Sequence, residues 1–278
     1  MKKIQVLIPT MILLIACSSY TIKVKLTGRS VTQTLQIDND YSEIDVSRAI
    51  NVFMSDSVSM AYVEADEALI QYFQYKIKGN SLVLTMRENI NFESSGNKKS
   101  SVKVYLPFKD GINDIKLSGA SSFECSNPLS VNEMSIELTG ASSLKSDIIA
   151  KSVVTDIAGA SKHYGYVEAR KLIMDFSGAS KYDGTLNSDN ASISVSGASD
   201  VNFDGIVGKL RLKLSGASHL DGREITDLNA EISGASHADV DCSGTIKCEV
   251  SGASKLIYSG NASIEDIDSS GASVVRKK

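Results

Sequence analysis

Residues with ligating or acid–base chemistry recur at regular distances along this chain. Asp200, His219 and His237 are separated by 19 and 18 residues. Two imidazoles and a carboxylate brought side by side could hold Zn²⁺, whose nitrogen ligands sit at about 2.0 Å. Glu137, Asp156 and Asp175 follow at the same interval, and after Ser194 and Lys213 the series resumes with Glu231, Glu249 and Asp268. Such a row offers oxygen ligands to Ca²⁺. Facing a second carboxylate across a cleft, it would supply the acid and base of polysaccharide cleavage.

The surroundings argue against each of these chemistries. Lys181 and Lys255 flank the histidines and repel a cation, and no fourth Zn²⁺ ligand is evident. The carboxylate row would hold Ca²⁺ from one side only, so water and lysines are the expected compensation. Sugar cleavage needs a cleft, usually with aromatic platforms, yet the chain has no tryptophan and its regular spacing leaves no insertion longer than about two residues. No Ser-His-Asp order, phosphate loop or Cys-x-x-Cys pair stands out. Cys242 and Cys248 are read as buried free thiols, a disulfide between them being the other state their spacing allows, and Cys125 is too distant to join them. The expectation is a non-enzyme with no catalytic residue, no metal and no cofactor.

The intervals come from a repeat. Gly-Ala-Ser occurs nine times, with glycines at 119, 140, 159, 178, 197, 216, 234, 252 and 271, a period of 18 to 21 residues. Residues four and two before each glycine are usually apolar and the one between them usually charged, as in Ile115-Lys116-Leu117 and Leu212-Lys213-Leu214. That alternation predicts half-buried strands. Four residues past the glycine, Phe123, Leu144, His163, Tyr182, Val201, Leu220, Ala238, Leu256 and Val275 continue the inward pattern, with His163 expected as a hydrogen-bonded inner or rim residue. Turn dipeptides such as Asp183-Gly184 and Asp221-Gly222 mark a second corner. The prediction is an all-β solenoid of coils about 19 residues long, stacked about 4.8 Å apart over a shared core about 40 Å long.

Stacking turns sequence intervals into columns. Ser121, Ser142, Ser161, Ser180, Ser199, Ser218, Ser236, Ser254 and Ser273 should form a ladder in which each hydroxyl donates to one neighbour and accepts from the other. The position after each serine makes an outward column, and its members Lys162, Lys181, Asp200, His219, His237 and Lys255 are the candidate binding face.

The chain starts like an exported protein. Lys2 and Lys3 precede an apolar run from Ile4 to Ala16, too short for a membrane span. The run ends in Leu14-Ile15-Ala16-Cys17, which looks like a lipoprotein signal, so Cys17 is the expected lipid-bearing residue and acyl chains the expected membrane tether. Removing residues 1–16 leaves 27 basic against 33 acidic side chains, a net charge near −6. That balance disfavours nucleic acid as a partner, since only Arg276-Lys277-Lys278 is locally basic.

Four regions follow: residues 1–16 a signal peptide, 17–30 a lipidated linker, 31–115 irregular β coils, and 116–278 the regular solenoid. In the irregular part Glu43-Ile44-Asp45-Val46, Leu82-Val83-Leu84-Thr85 and Val102-Lys103-Val104-Tyr105-Leu106 read as strands, Ala65–Ile70 as a turn or one helical turn, and Asn89–Ser101 as a polar loop. These strands are expected to form wider first coils that cap the solenoid, a separate β-sandwich being the alternative. At the other end, the charges of Arg276-Lys277-Lys278 discourage edge-to-edge stacking.

With the Leu106-Pro107 step, the opening pattern Ile44-Asp45-Val46 through Ile50-Asn51-Val52, and Ile115-Lys116-Leu117-Ser118-Gly119-Ala120-Ser121 repeating onward, residues 31–275 resemble the bacterial auto-transporter adhesin, head GIN domain family. The resemblance implies a right-handed parallel β-helix-like fold in a Gram-negative envelope protein. It brings no catalytic residues. The resulting expectation is a lipid-anchored envelope protein, facing the periplasm or the cell surface, that acts as a binding wall or spacer toward a glycan or an envelope protein. A self-assembling structural protein and a polysaccharide-degrading β-helix enzyme are the alternatives.

Overall fold

The corner of each regular coil is set by a glycine in the left-handed region. From Gly119 to Gly271 the marker glycines have φ between 71° and 81°, a conformation that costs an L-residue roughly 1–2 kcal/mol. The next amide then bonds along the axis. Ala141 donates to Gly119 at 2.7 Å, Ala198 to Gly178 at 2.7 Å and Ala272 to Gly252 at 2.8 Å. A Cβ on Gly216 would stand 2.6 Å from the Gly197 oxygen, so the stacking distance itself excludes a side chain.

A computed structural model describes residues 21–37, 40–93 and 101–278. The expected signal peptide and Cys17 lie outside the described residues. Within them the chain is a β-solenoid with coils of about 19 residues. On the wall before the corner, Leu138, Ile157, Phe176, Val195 and Leu214 lie one above another in parallel register. On the wall after it, Phe123, Leu144, His163, Tyr182, Val201 and Leu220 do the same. All are buried. Several strands run through the second corner unbroken: Lys162–Phe176 and Lys181–Val195 each hold 15 residues and pair with Gly165 over Gly184.

The N-terminal strands are β1 (Ile22–Lys25), β2 (Ser30–Thr34), β3 (Glu43–Val46), β4 (Ile50–Ser55), β5 (Tyr62–Asp66), β6 (Phe73–Lys78), β7 (Ser81–Met86), β8 (Ile90–Glu93) and β9 (Val102–Pro107). They lead into β10 (Asp114–Leu117) and β11 (Ser122–Cys125). β3 and β4 make a coil in register with β10 and β11, pairing Ile44 with Ile115 and Val52 with Phe123. Its corner is Arg48-Ala49, both at φ 63°, with the Arg48 guanidinium bonded to the Met86 carbonyl at 3.0 Å and to Glu88 at 2.6 Å.

Beyond that coil lie β7 and β9, parallel to β3 and β4, so chain order and spatial order part company here. β2 with β5, β5 with β9, and β6 with β7 pair antiparallel, a departure from simple wider coils. The alternative of a separate sandwich fails, because one buried apolar cluster runs from Val24 to Leu256. One further expectation changes: Ile90–Glu93, read as part of a polar loop, pairs as β8 with β1, itself inside the expected linker. The expected turn is present at residues 67–69 and runs into a 3₁₀ turn at Ile70–Tyr72. Among the described residues no helix is long and apolar enough to cross a membrane.

Candidate binding surface

The wall after the corner carries the face read from the sequence. Parallel register places Lys162, Lys181, Asp200, His219, His237 and Lys255 in one continuous column. His219 and His237 stack with centroids 5.2 Å apart and planes 24° from parallel. Stacked rings do not converge their nitrogens on one point. Among the described residues no group of three or more His, Cys, Asp or Glu is arranged to hold a metal ion. The pKa of His237 is lowered, first by burial, then by His219 and Lys255.

The adjacent column on this wall is acidic, and its charges are paired. Lys181 meets Asp183 at 3.0 Å, Arg223 meets Asp221 at 2.7 Å and Asp239 at 3.6 Å, and Lys278 meets Asp239 at 2.7 Å. Exposed pairs of this kind contribute little individually, but here they leave a patch of alternating sign.

The carboxylate series on the wall before the corner is also a true column. Glu137, Asp156 and Asp175 are direct neighbours, and the row continues through Ser194 and Lys213 to Glu231, Glu249 and Asp268. Lys213 pairs with Glu231 at 2.9 Å. Lys116 sits next to Glu137 in the register, though its ammonium bonds Asp114 at 2.8 Å.

The serine ladder exists, but its hydrogen bonds run differently from the expected relay. Ser121 to Ser254 are buried. Ser121, Ser142, Ser199, Ser218 and Ser236 each donate to the carbonyl three residues earlier, at 2.7 to 2.9 Å. Hydroxyls meet between coils at Ser180 and Ser199, 3.1 Å, and at Ser218 and Ser236, 3.3 Å. In those five serines the turn's own carbonyl is the nearer acceptor, so they close their own corner, whereas Ser254 donates to the Gly234 carbonyl of the coil before at 3.2 Å. Ser273 bonds Val250 at 3.0 Å. His163 is a second correction: it is fully buried and neither ring nitrogen has a hydrogen-bond partner. Cys125, Cys242 and Cys248 are buried free thiols, and burial pushes Cys248 up to about 11.

One feature of the wall before the corner escaped the sequence reading. Lys171, Asn190, Lys209 and Asp227 stack in one column, and Ile173, Ser192, Arg211, Asn229 and Lys247 in the next. Together they line a groove of about 500 Å³ running along the solenoid axis, formed without any insertion in the repeat. The available signal was a doubled period, since Lys171 and Lys209 are 38 residues apart and Arg211 and Lys247 are 36.

These features define a repeat solenoid whose polar walls, rather than a catalytic constellation, carry its recognisable chemistry. The chain belongs to the family described as "Putative auto-transporter adhesin, head GIN domain", whose model matches residues 40–185 and again 164–262. That description is of an adhesin and not of an enzyme, which fits a protein of the cell envelope or surface. No curated protein matches the sequence.

Solved structures share the fold. One is described as a "putative adhesin" from Parabacteroides merdae, with TM-score 0.65 and 17% identity over 93% of this chain and 100% of that one. A "Putative lipid binding protein" from Parabacteroides distasonis has TM-score 0.62 and 17% identity, covering 92% of this chain and 99% of the other. A second "putative adhesin" from Parabacteroides distasonis has TM-score 0.57 and 19% identity over 92% and 100%.

Proposed function

We propose that this chain is a non-enzymatic binding protein of the cell envelope, tethered by lipid on Cys17, whose solenoid walls contact a glycan or an envelope protein. The observation that carries the reading is the strict register of outward columns on both walls. A rigid array with like positions about 4.8 Å apart suits broad contact with a repetitive or extended partner. The Leu14-Ile15-Ala16-Cys17 signal supports the tether, and the adhesin description of the family supports contact as the task.

Expression in a Gram-negative host with labelled fatty acid tests the tether. The chain should take up label and sediment with membranes, and Cys17→Ala should abolish both. Binding is tested with the lipid-free chain from residue 18 onward, against purified envelope polysaccharide and solubilised envelope proteins. An unlabelled, soluble wild-type chain defeats the anchor, and no retention by either fraction defeats the binding role.

A further inference from the structure

Resting on the binding-protein reading above, we propose that the groove on the wall before the corner is a site for an acidic polysaccharide. The ligand would lie along the solenoid axis and carry one negative charge on every second sugar.

The charge pattern is the first reason. Lys171, Lys209 and Arg211 are exposed, and among the described residues none of them has an ion-pair partner, although the chain as a whole is acidic. The neighbouring Lys213 is neutralised by Glu231 at 2.9 Å, and Lys247 faces Asp266 at 3.9 Å. Two carboxylates also line the groove, Glu265 and Asp227, the latter accepting from the Thr245 amide at 3.1 Å and hydroxyl at 2.9 Å, against the four cations Lys171, Lys209, Arg211 and Lys247. The groove lining therefore carries a net excess of cations on an otherwise negative body, where an anionic ligand gains most.

Spacing is the second. Lys171 lies two coils from Lys209, and Arg211 lies two coils from Lys247, a separation of about 9.6 Å at the usual strand spacing. Coils between them offer Asn190, Ser192 and Asn229, and the carboxylate of Asp227 beside Asn229, groups able to bond sugar hydroxyls. An extended β-linked hexose advances about as far per residue as one coil, so charge on alternate sugars meets cations on alternate coils. Partly buried Ile173 gives the apolar side of a sugar ring a surface to rest on.

Titration calorimetry with hyaluronan oligosaccharides, which carry one carboxylate on every second sugar, tests this on the lipid-free chain. Dextran, polyglutamate and phosphatidylglycerol vesicles serve as comparisons. Hyaluronan should bind, weakening about tenfold or more when salt screens the groove. Lys209→Gln with Arg211→Gln should weaken binding at least about tenfold, against little change for Lys78→Gln with Lys145→Gln, which removes equal charge elsewhere. Unchanged binding in the groove variant, tighter binding of polyglutamate or vesicles, or no hyaluronan binding overturns the site. If Lys181→Gln with Lys255→Gln abolishes hyaluronan binding while the groove variant does not, the groove fails and the binding-protein reading stands. Retention of no envelope component at all removes both.

Discussion

The imidazole of His163 meets the ring of Tyr182 edge-on, centroids 5.2 Å apart and planes at 79°, in the middle of the column that elsewhere holds Phe123, Leu144 and Val201. The Tyr182 hydroxyl is satisfied by the carbonyls of Gly165 at 2.9 Å and Thr185 at 3.2 Å, but neither imidazole nitrogen has a hydrogen-bond partner to replace water. Full burial pulls its pKa down to about 4, while an unfolded histidine titrates near 6.5. Between those values the unfolded state binds the extra proton, so stability is complete above pH about 6.5 and falls as pH drops toward about 4, by on the order of 3 kcal/mol. Thermal melts from pH 7 to pH 4.5 should show this slope, and His163→Leu should flatten it. An identical slope in the variant would place the acid sensitivity elsewhere.

Gly216→Ala should be among the most damaging single-methyl additions. It forces alanine to φ 78° and brings its Cβ to 2.6 Å from the Gly197 carbonyl. The expected loss is about 2 kcal/mol or more, from left-handed strain plus the clash. Ala217→Ser, one residue on at an exposed position, should change stability by less than about 0.5 kcal/mol. Urea midpoints of the two variants compare them directly.

Ser180 and Ser199 share a hydroxyl contact at 3.1 Å, while Ser199 also donates to the Ser196 carbonyl at 2.9 Å. Ser199→Ala should cost about 1 kcal/mol by leaving that partly buried carbonyl short of a donor. Combined with Ser180→Ala, the total should differ from the sum of the singles by about 0.5 kcal/mol or more, because the two changes remove one common bond. Strict additivity would mean that each serine acts within its own corner alone.

Asp156 stands between Glu137 and Asp175 in the same outward column. Like charges at adjacent strand positions repel, so Asp156→Lys should raise stability by about 0.5–1 kcal/mol at low salt and by less at high salt. Calcium should produce no binding heat and no change in melting temperature in the wild-type chain. A calcium-dependent rise that Asp156→Lys abolishes would show instead that the column holds the ion.

The repeat was legible because it is written in local constraints that recur at fixed register. A glycine at positive φ, an apolar residue on either side of a charged one, and a second turn dipeptide are each readable from a few neighbours. Parallel stacking then fixes which residues share a column, and the outward column from Lys162 to Lys255 and the carboxylate series followed directly from the intervals. The serines show where that reading stopped: their alignment came from the period, but the acceptor came from distance. It is a carbonyl three residues back for Ser121, Ser142, Ser199, Ser218 and Ser236 and a carbonyl of an earlier coil for Ser254 and Ser273.

Thus the sequence by itself determined the period, the corners and the facing of side chains in the regular coils, since each depends on backbone sterics repeated nine times. Tertiary structure alone decided how β3 and β4 insert between β7, β9 and the first regular coil, because pairings such as Ile44 with Leu82 and Val52 with Val104 join segments that carry no common marker. It also decided that His163 lacks a partner. The cationic groove arises where two neighbouring columns meet on one wall, a juxtaposition set by the packing of whole coils rather than by any residue's immediate neighbours.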